Sequence, residues 1–219
     1  MSRIRILLAD DHEMLCMLFT KFLEPKYEVV GSVPDGRTLI KAAFELKPDV
    51  VILDIGMPEL NGISAGRELR KLLPSLKLVY LTMNKDCDLA VEALNAGASA
   101  YLLKNSRTSE LLQAIEEVTR GSTYITPQIS RALEDRSIRN PNVLDQPSHL
   151  TDRQREVLQL LAEGHEMKET AYILGISLRT VRFHKYRIME ELGISSDAEL
   201  VQYAMQHGII FPAEKIPST

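Results

Sequence analysis

The chain has 219 residues and carries 26 Lys and Arg against 30 Asp and Glu, a formal net charge of −4. That length allows one large or two small domains, and an apolar share of 45% suits buried cores. No run of about 20 apolar residues exists, so neither a spanning helix nor membrane contact is expected. The first apolar run, from Ile4 to Ala9, is cut off by Asp10 and Asp11, too soon for a secretion signal. Cys16 and Cys87, without metal-ligand spacing, read as reduced thiols of a cytoplasmic protein.

In chain order, residues 5–9 form a short apolar strand, and a helical pattern runs from about Glu13 until Pro25 stops it. Residues 27–33 are β-prone, and Asp35 can cap a helix reaching Leu46. After Pro48 comes Val50-Val51-Ile52-Leu53, an uninterrupted apolar run of the kind buried on both faces of a sheet. A third helix is predicted over about 63–73, a strand over 76–81, and a fourth helix over about 86–96, closed by Gly97. A fifth strand over 98–103 and a helix over 108–120, closed by Gly121, complete the series. Alternation of this kind predicts an α/β domain with a five-stranded, doubly wound parallel sheet.

In such sheets the working site lies beyond the carboxyl ends of the strands. Asp10 and Asp11 follow strand one, Asp54 strand three, Thr82 strand four and Lys104 strand five. Three carboxylates together need a cation, and magnesium suits them as a hard, oxygen-seeking ion. Asp54 can attack a phosphoryl group as a nucleophile. Lys104 and the metal would offset charge on the phosphoryl oxygens, and Thr82 could donate a hydrogen bond.

Residues 123–147 read as a linker: Tyr124-Ile125-Thr126-Pro127, a short helix over about 128–136, then an irregular stretch from Asn140 to Ser148. Beyond it, Thr151 opens a helix ended by Gly164, and residues 168–174 form a second, stopped at Gly175. Ser177 can cap a third helix reaching Leu192, and residues 197–207 form a fourth. The second and third, joined by the tight turn at Gly175, make a helix-turn-helix in a small all-α domain. The negative net charge argues against nucleic acid, but charge is read locally. Between Arg179 and Arg187 stand four basic residues (Arg179, Arg182, Lys185 and Arg187) and no acid. Arg182, Phe183, Tyr186 and Arg187 point away from the stripe formed by Val181, His184, Ile188 and Leu192. Such a helix suits the DNA major groove, so Arg179, Thr180, Arg182, Phe183, Lys185, Tyr186 and Arg187 are the expected DNA contacts. His184, on the inner face, reads as a packed residue.

Residues 1–122 resemble a response-regulator receiver domain of the flavodoxin/CheY-like fold. The resemblance rests on Asp10-Asp11, the loop from Leu53 to Gly62, Leu81-Thr82 and Tyr101-Leu102-Leu103-Lys104. It implies phosphorylation of Asp54 by a histidine kinase, with magnesium held by Asp11, Asp54 and the Gly56 carbonyl, assisted by Asp10. It also implies that Tyr101 is a switch aromatic, turning inward when Thr82 moves to the phosphoryl group. Many receivers have proline after the lysine; here it is Asn105, and the bond is expected to be trans.

Residues 148–211 resemble the LuxR-type output domain of the NarL/FixJ subfamily, through the string from Leu150 to Leu158, Leu174-Gly175-Ile176-Ser177, Thr180-Val181-Arg182-Phe183-His184 and Leu192-Gly193. Residues 212–219 read as a tail. Together the resemblances imply a regulator, not an enzyme, that binds DNA and forms homodimers when phosphorylated. They implicate the fourth helix as a dimer surface. A DNA-binding protein indifferent to phosphorylation is the alternative.

Overall fold

A computed structural model describes residues 3–139 and 150–211. The irregular stretch expected between Asn140 and Ser148 lies outside them, as do residue 149 and the tail from 212. The chain divides into two compact units, Met1–Pro147 and Ser148–Thr219. Among the described residues no helix is long and apolar enough to cross a membrane.

In the first unit, β1 (Arg5–Ala9), β2 (Glu28–Val33), β3 (Val50–Asp54), β4 (Lys77–Thr82), β5 (Ala100–Leu103) and β6 (Tyr124–Ile125) form one parallel sheet in the order β2-β1-β3-β4-β5-β6. The crossovers are α1 (Glu13–Leu23), α2 (Gly36–Leu46), α3 (Gly62–Leu72), α4 (Cys87–Asn95) and α5 (Thr108–Thr119). β3 is buried along its whole length, which is why its apolar run has no polar alternation. Ile6, Leu8, Ile52, Val79 and Leu102 pack with Leu23 of α1 and Leu111, Ile115 and Val118 of α5. Each such aliphatic side chain contributes about 1.5–3 kcal/mol when fully buried. On the opposite face, Tyr80 fits under α3 only because Gly66 lacks a side chain; a Cβ there would lie 1.8 Å from the tyrosine hydroxyl.

The sequence reading gives five strands; the sheet has six. β6 pairs with β5 (Ala100 with Tyr124, Tyr101 with Ile125) just past the receiver boundary read at residue 122. Thr126 seals the junction. Its N–H donates to the Tyr101 carbonyl at 3.0 Å, and its hydroxyl lies 3.4 Å from that carbonyl and from the Leu103 nitrogen. Helix α6 (Pro127–Arg139) follows, longer than the 128–136 read from sequence, and packs against α4 with Ile129 buried. Pro127 suits this first position because a helix's first N–H has no internal partner.

The second unit contains α7 (Asp152–Ala162), α8 (Met167–Leu174), α9 (Leu178–Leu192) and α10 (Asp197–Gln206) around a core that includes Val157, Leu160, Leu174, Val181, Ile188 and Leu200. Thr151 and Gln154 form a reciprocal capping box on α7. Gly175, at φ +62°, ends α8 in the left-handed conformation, and Ser177 accepts the Thr180 N–H to start α9. That pair of devices makes the turn tight.

Candidate functional site

The parallel register brings the strand ends together. Ala9 pairs with Leu53, Asp54 with Leu81, and Thr82 with Leu103, so the residues that follow them share one edge. Lys104 reaches across it. Its Nζ lies 2.7 Å from Asp10 Oδ2 and 3.0 Å from Asp54 Oδ2, with its side chain only 9% exposed. Its backbone N–H donates to the Thr82 carbonyl at 2.7 Å. Among the described residues no peptide bond is cis, so the Lys104–Asn105 bond is trans.

The loop after Asp54 folds back tightly. The Ile55 N–H donates to Asp54 Oδ1 at 2.8 Å, and a Gly56 N–H also bonds the carboxylate. Gly62 donates to the Ile55 carbonyl, and a Cβ there would lie 2.0 Å from the Asp54 carbonyl oxygen. Only glycine permits that approach. Gly56, whose carbonyl is an implied ligand, stands half-buried in this loop.

Burial, followed by the Asp10 charge, pushes the Asp54 carboxyl up, against the pull of Lys104. Burial works against the Lys104 ammonium, but the Asp54 and Asp10 carboxylates prevail and raise it. Asp11 is exposed, unlike buried Asp10. Asp10, Asp11 and His12 each offer a ligand atom, all within 4.8 Å of one another. Sequence reasoning missed His12, whose Nδ1 lies 3.0 Å from Asp10 and 2.8 Å from Asp11; its place directly after the two acids was the available signal.

Thr82 is 2% exposed, and its hydroxyl oxygen accepts the Asn84 N–H at 3.0 Å, leaving its own hydrogen to donate. Tyr101 is fully buried, and its hydroxyl lies 3.5 Å from the Asn84 carbonyl. Burial, then the neighbouring Asp86, holds its phenol far above the ordinary range.

In the second unit, Arg179, Arg182, Phe183, Tyr186 and Arg187 are exposed on α9, with Phe183 63% and Tyr186 62% accessible. The spacing 179, 182, 183, 186 is that of one helical face. Thr180 is half-buried, its hydroxyl 2.8 Å from that of Ser177 in the cap. Lys185 stands about a third of a turn away from that face, with only 14% of its side chain exposed, and pairs with Asp197 of α10 at 2.6 Å. Arg187 pairs with Glu191 at 2.9 Å. His184 is half-buried, edge-on to Phe183.

A doubly wound receiver bearing an acidic site and a lysine at its strand ends, followed by a helix-turn-helix unit, defines a phosphorylation-controlled transcription regulator. Residues 6–116 match the response regulator receiver domain and residues 148–204 the luxR family of bacterial regulatory proteins. The chain is 35% identical over 210 residues to the response regulator GacA of Pseudomonas aeruginosa, covering 94% of this chain and 98% of that protein. It is 31% identical over 209 residues to the response regulator VraR of Staphylococcus aureus, covering 94% and 99%. A solved structure of RcsB from Salmonella enterica, bound to promoter DNA in the presence of a phosphomimetic, superposes with a TM-score of 0.63 at 28% identity, covering 94% of this chain and all of that one. The chain belongs to the response regulators of the NarL/FixJ, LuxR-type subfamily.

Proposed function

We propose that a cognate histidine kinase phosphorylates Asp54 and that this controls sequence-specific DNA binding through α9, in the cytoplasm. The observation carrying the reading is the single ammonium of Lys104 set between Asp10 and Asp54. An Asp54 oxygen attacks phosphorus; the new O–P bond forms as the donor's P–N bond breaks, and the imidazole leaves with a proton from solvent. Lys104 offsets charge on the phosphoryl oxygens, and the Thr82 hydroxyl donates to one of them. Lys104 faces two carboxylates, Asp10 and Asp54, and Asp11 stands beside Asp10; hard oxygens so gathered suit magnesium. Asp10, Asp11, Asp54 and the Gly56 carbonyl would hold it. When bound it neutralises charge developing on the phosphoryl group. The phosphoryl group ends on the chain itself, so the reading is a regulator and not an enzyme acting on a small molecule.

Incubation with magnesium and acetyl phosphate should add one phosphoryl group by intact mass. Asp54→Asn should add none, and EDTA should abolish the labelling of the wild type. Retained labelling in Asp54→Asn would sink the assignment.

On α9, Arg182 and Phe183 are assigned to base edges, Phe183 to a thymine methyl, with Arg179, Thr180 and Tyr186 beside them. The proposal for RcsB-like promoter binding rests on that structure's bound DNA. Lys185 and Arg187 would meet phosphates only by leaving Asp197 and Glu191. Arg182→Ala should cost cognate DNA about 1–3 kcal/mol and relax preference at one base pair. Lys185→Ala should leave cognate binding nearly unchanged. Equal losses in both, measured at several salt concentrations, would overturn this division.

A further inference from the structure

The recognition helix α9 has 15 residues, a length of about 22 Å. A tilt of about 5° therefore swings one end by about 2 Å, while a hydrogen bond to a base edge tolerates a few tenths of an ångström. Something outside α9 has to fix its aim. Two consecutive residues in the first turn of α7 bond to groups at the two ends of α9, one at the turn before it and one in its last turn. Arg153 donates from Nη2 to the Leu174 carbonyl, the last residue of α8, at 2.8 Å, and from Nη1 to Glu156 at 2.7 Å. The turn's own N–H groups bond to Tyr172 and Ala171, not to Leu174. Gln154 is 5% exposed. It donates from Nε2 to Glu191 at 2.6 Å, in the last turn of α9, while its Oε1 completes the α7 cap. Glu191 in turn holds Arg187.

We infer that Arg153 is a positioning residue for DNA recognition: its forked guanidinium pins the helix-turn-helix turn to α7 and so sets the angle at which α9 meets the groove. It rests on the reading of α9 given above. Arg153 is half-buried and lies on α7, outside the exposed face at 179, 182, 183 and 186. A rigid fork matters here, because one ammonium cannot hold the Leu174 carbonyl and Glu156 in the same geometry.

The test uses the full-length phosphorylated protein, a duplex selected from random sequence, and a scrambled duplex, at several salt concentrations. Arg153→Met should lose about tenfold in affinity for the selected duplex, with scrambled binding within about twofold and the salt slope unchanged. Arg153→Lys should recover part of the loss. Helix content by circular dichroism accompanies each variant. If Arg153→Met unfolds, Arg153→Lys decides: reduced selected binding with unchanged scrambled binding supports the clamp, and full selected binding overturns it. Wild-type affinity in Arg153→Met also overturns it. So does a salt slope lower by about one, which would make Arg153 a phosphate contact, or a parallel loss on both duplexes. Arg182→Ala run alongside separates the two readings. If it binds the selected duplex normally, α9 is not the reading helix; if it fails while Arg153→Met succeeds, only the clamp is wrong.

Discussion

At the scale of single residues, His184 ties the stability of the output unit to its protonation. Burial, then the charge of Arg153, lowers its pKa from the ordinary 6.5. The fold therefore favours neutral imidazole. A group whose pKa is lower folded than unfolded contributes stability above the unfolded value and loses it as pH falls through the folded one. The second unit should melt at progressively lower temperature from roughly pH 6.5 downward. His184→Gln cannot titrate and should flatten that slope between roughly pH 7 and 5; a slope as steep as the wild type's would place the effect elsewhere.

At the scale of elements, the caps and strand ends were legible because each depends on residues within a few positions. Asp35, Thr151 and Ser177 all accept the N–H three residues on. The convergence of Asp10, Asp54, Thr82 and Lys104 was legible too, since a parallel sheet leaves only one edge for residues that follow its strands. The sixth strand was not. Tyr124-Ile125 is too short to show a period, and its partner is Tyr101, in a strand separated from it by α5. The full burial of Tyr101 was hidden for the same reason. The side taken by Lys185 was hidden because Asp197 lies in the next helix. Thr126 tests the linker strand. Thr126→Val keeps the shape and removes a hydroxyl shared by Leu103 and Tyr101, and should cost the first unit about 1 kcal/mol. Urea unfolding of the full chain checks this; no change would mean the hydroxyl contributes nothing.

At the scale of the whole molecule, the sparse charge of α9 limits what one chain can do. With Lys185 and Arg187 committed to acids, a lone recognition helix has few cations for the DNA backbone. Two helices on paired half-sites would roughly double the contacts. Phosphorylated protein should therefore sediment as a dimer and bind its DNA about 5–150-fold more tightly than unphosphorylated protein. Sedimentation with and without a phosphoryl analogue measures the first, titration of labelled duplex the second. A monomer with unchanged affinity would refute both. The linker's place in the sheet bears on how this protein can be cut into parts. A fragment ending at residue 122 would lose β6 and bare the rim of β5, where Tyr101 and Leu103 now meet Ile125 and Thr126. Unprotected rims of that kind invite a second chain to zip on. An isolated receiver that dimerised for this reason would mimic activation by phosphate while reporting only where the scissors fell.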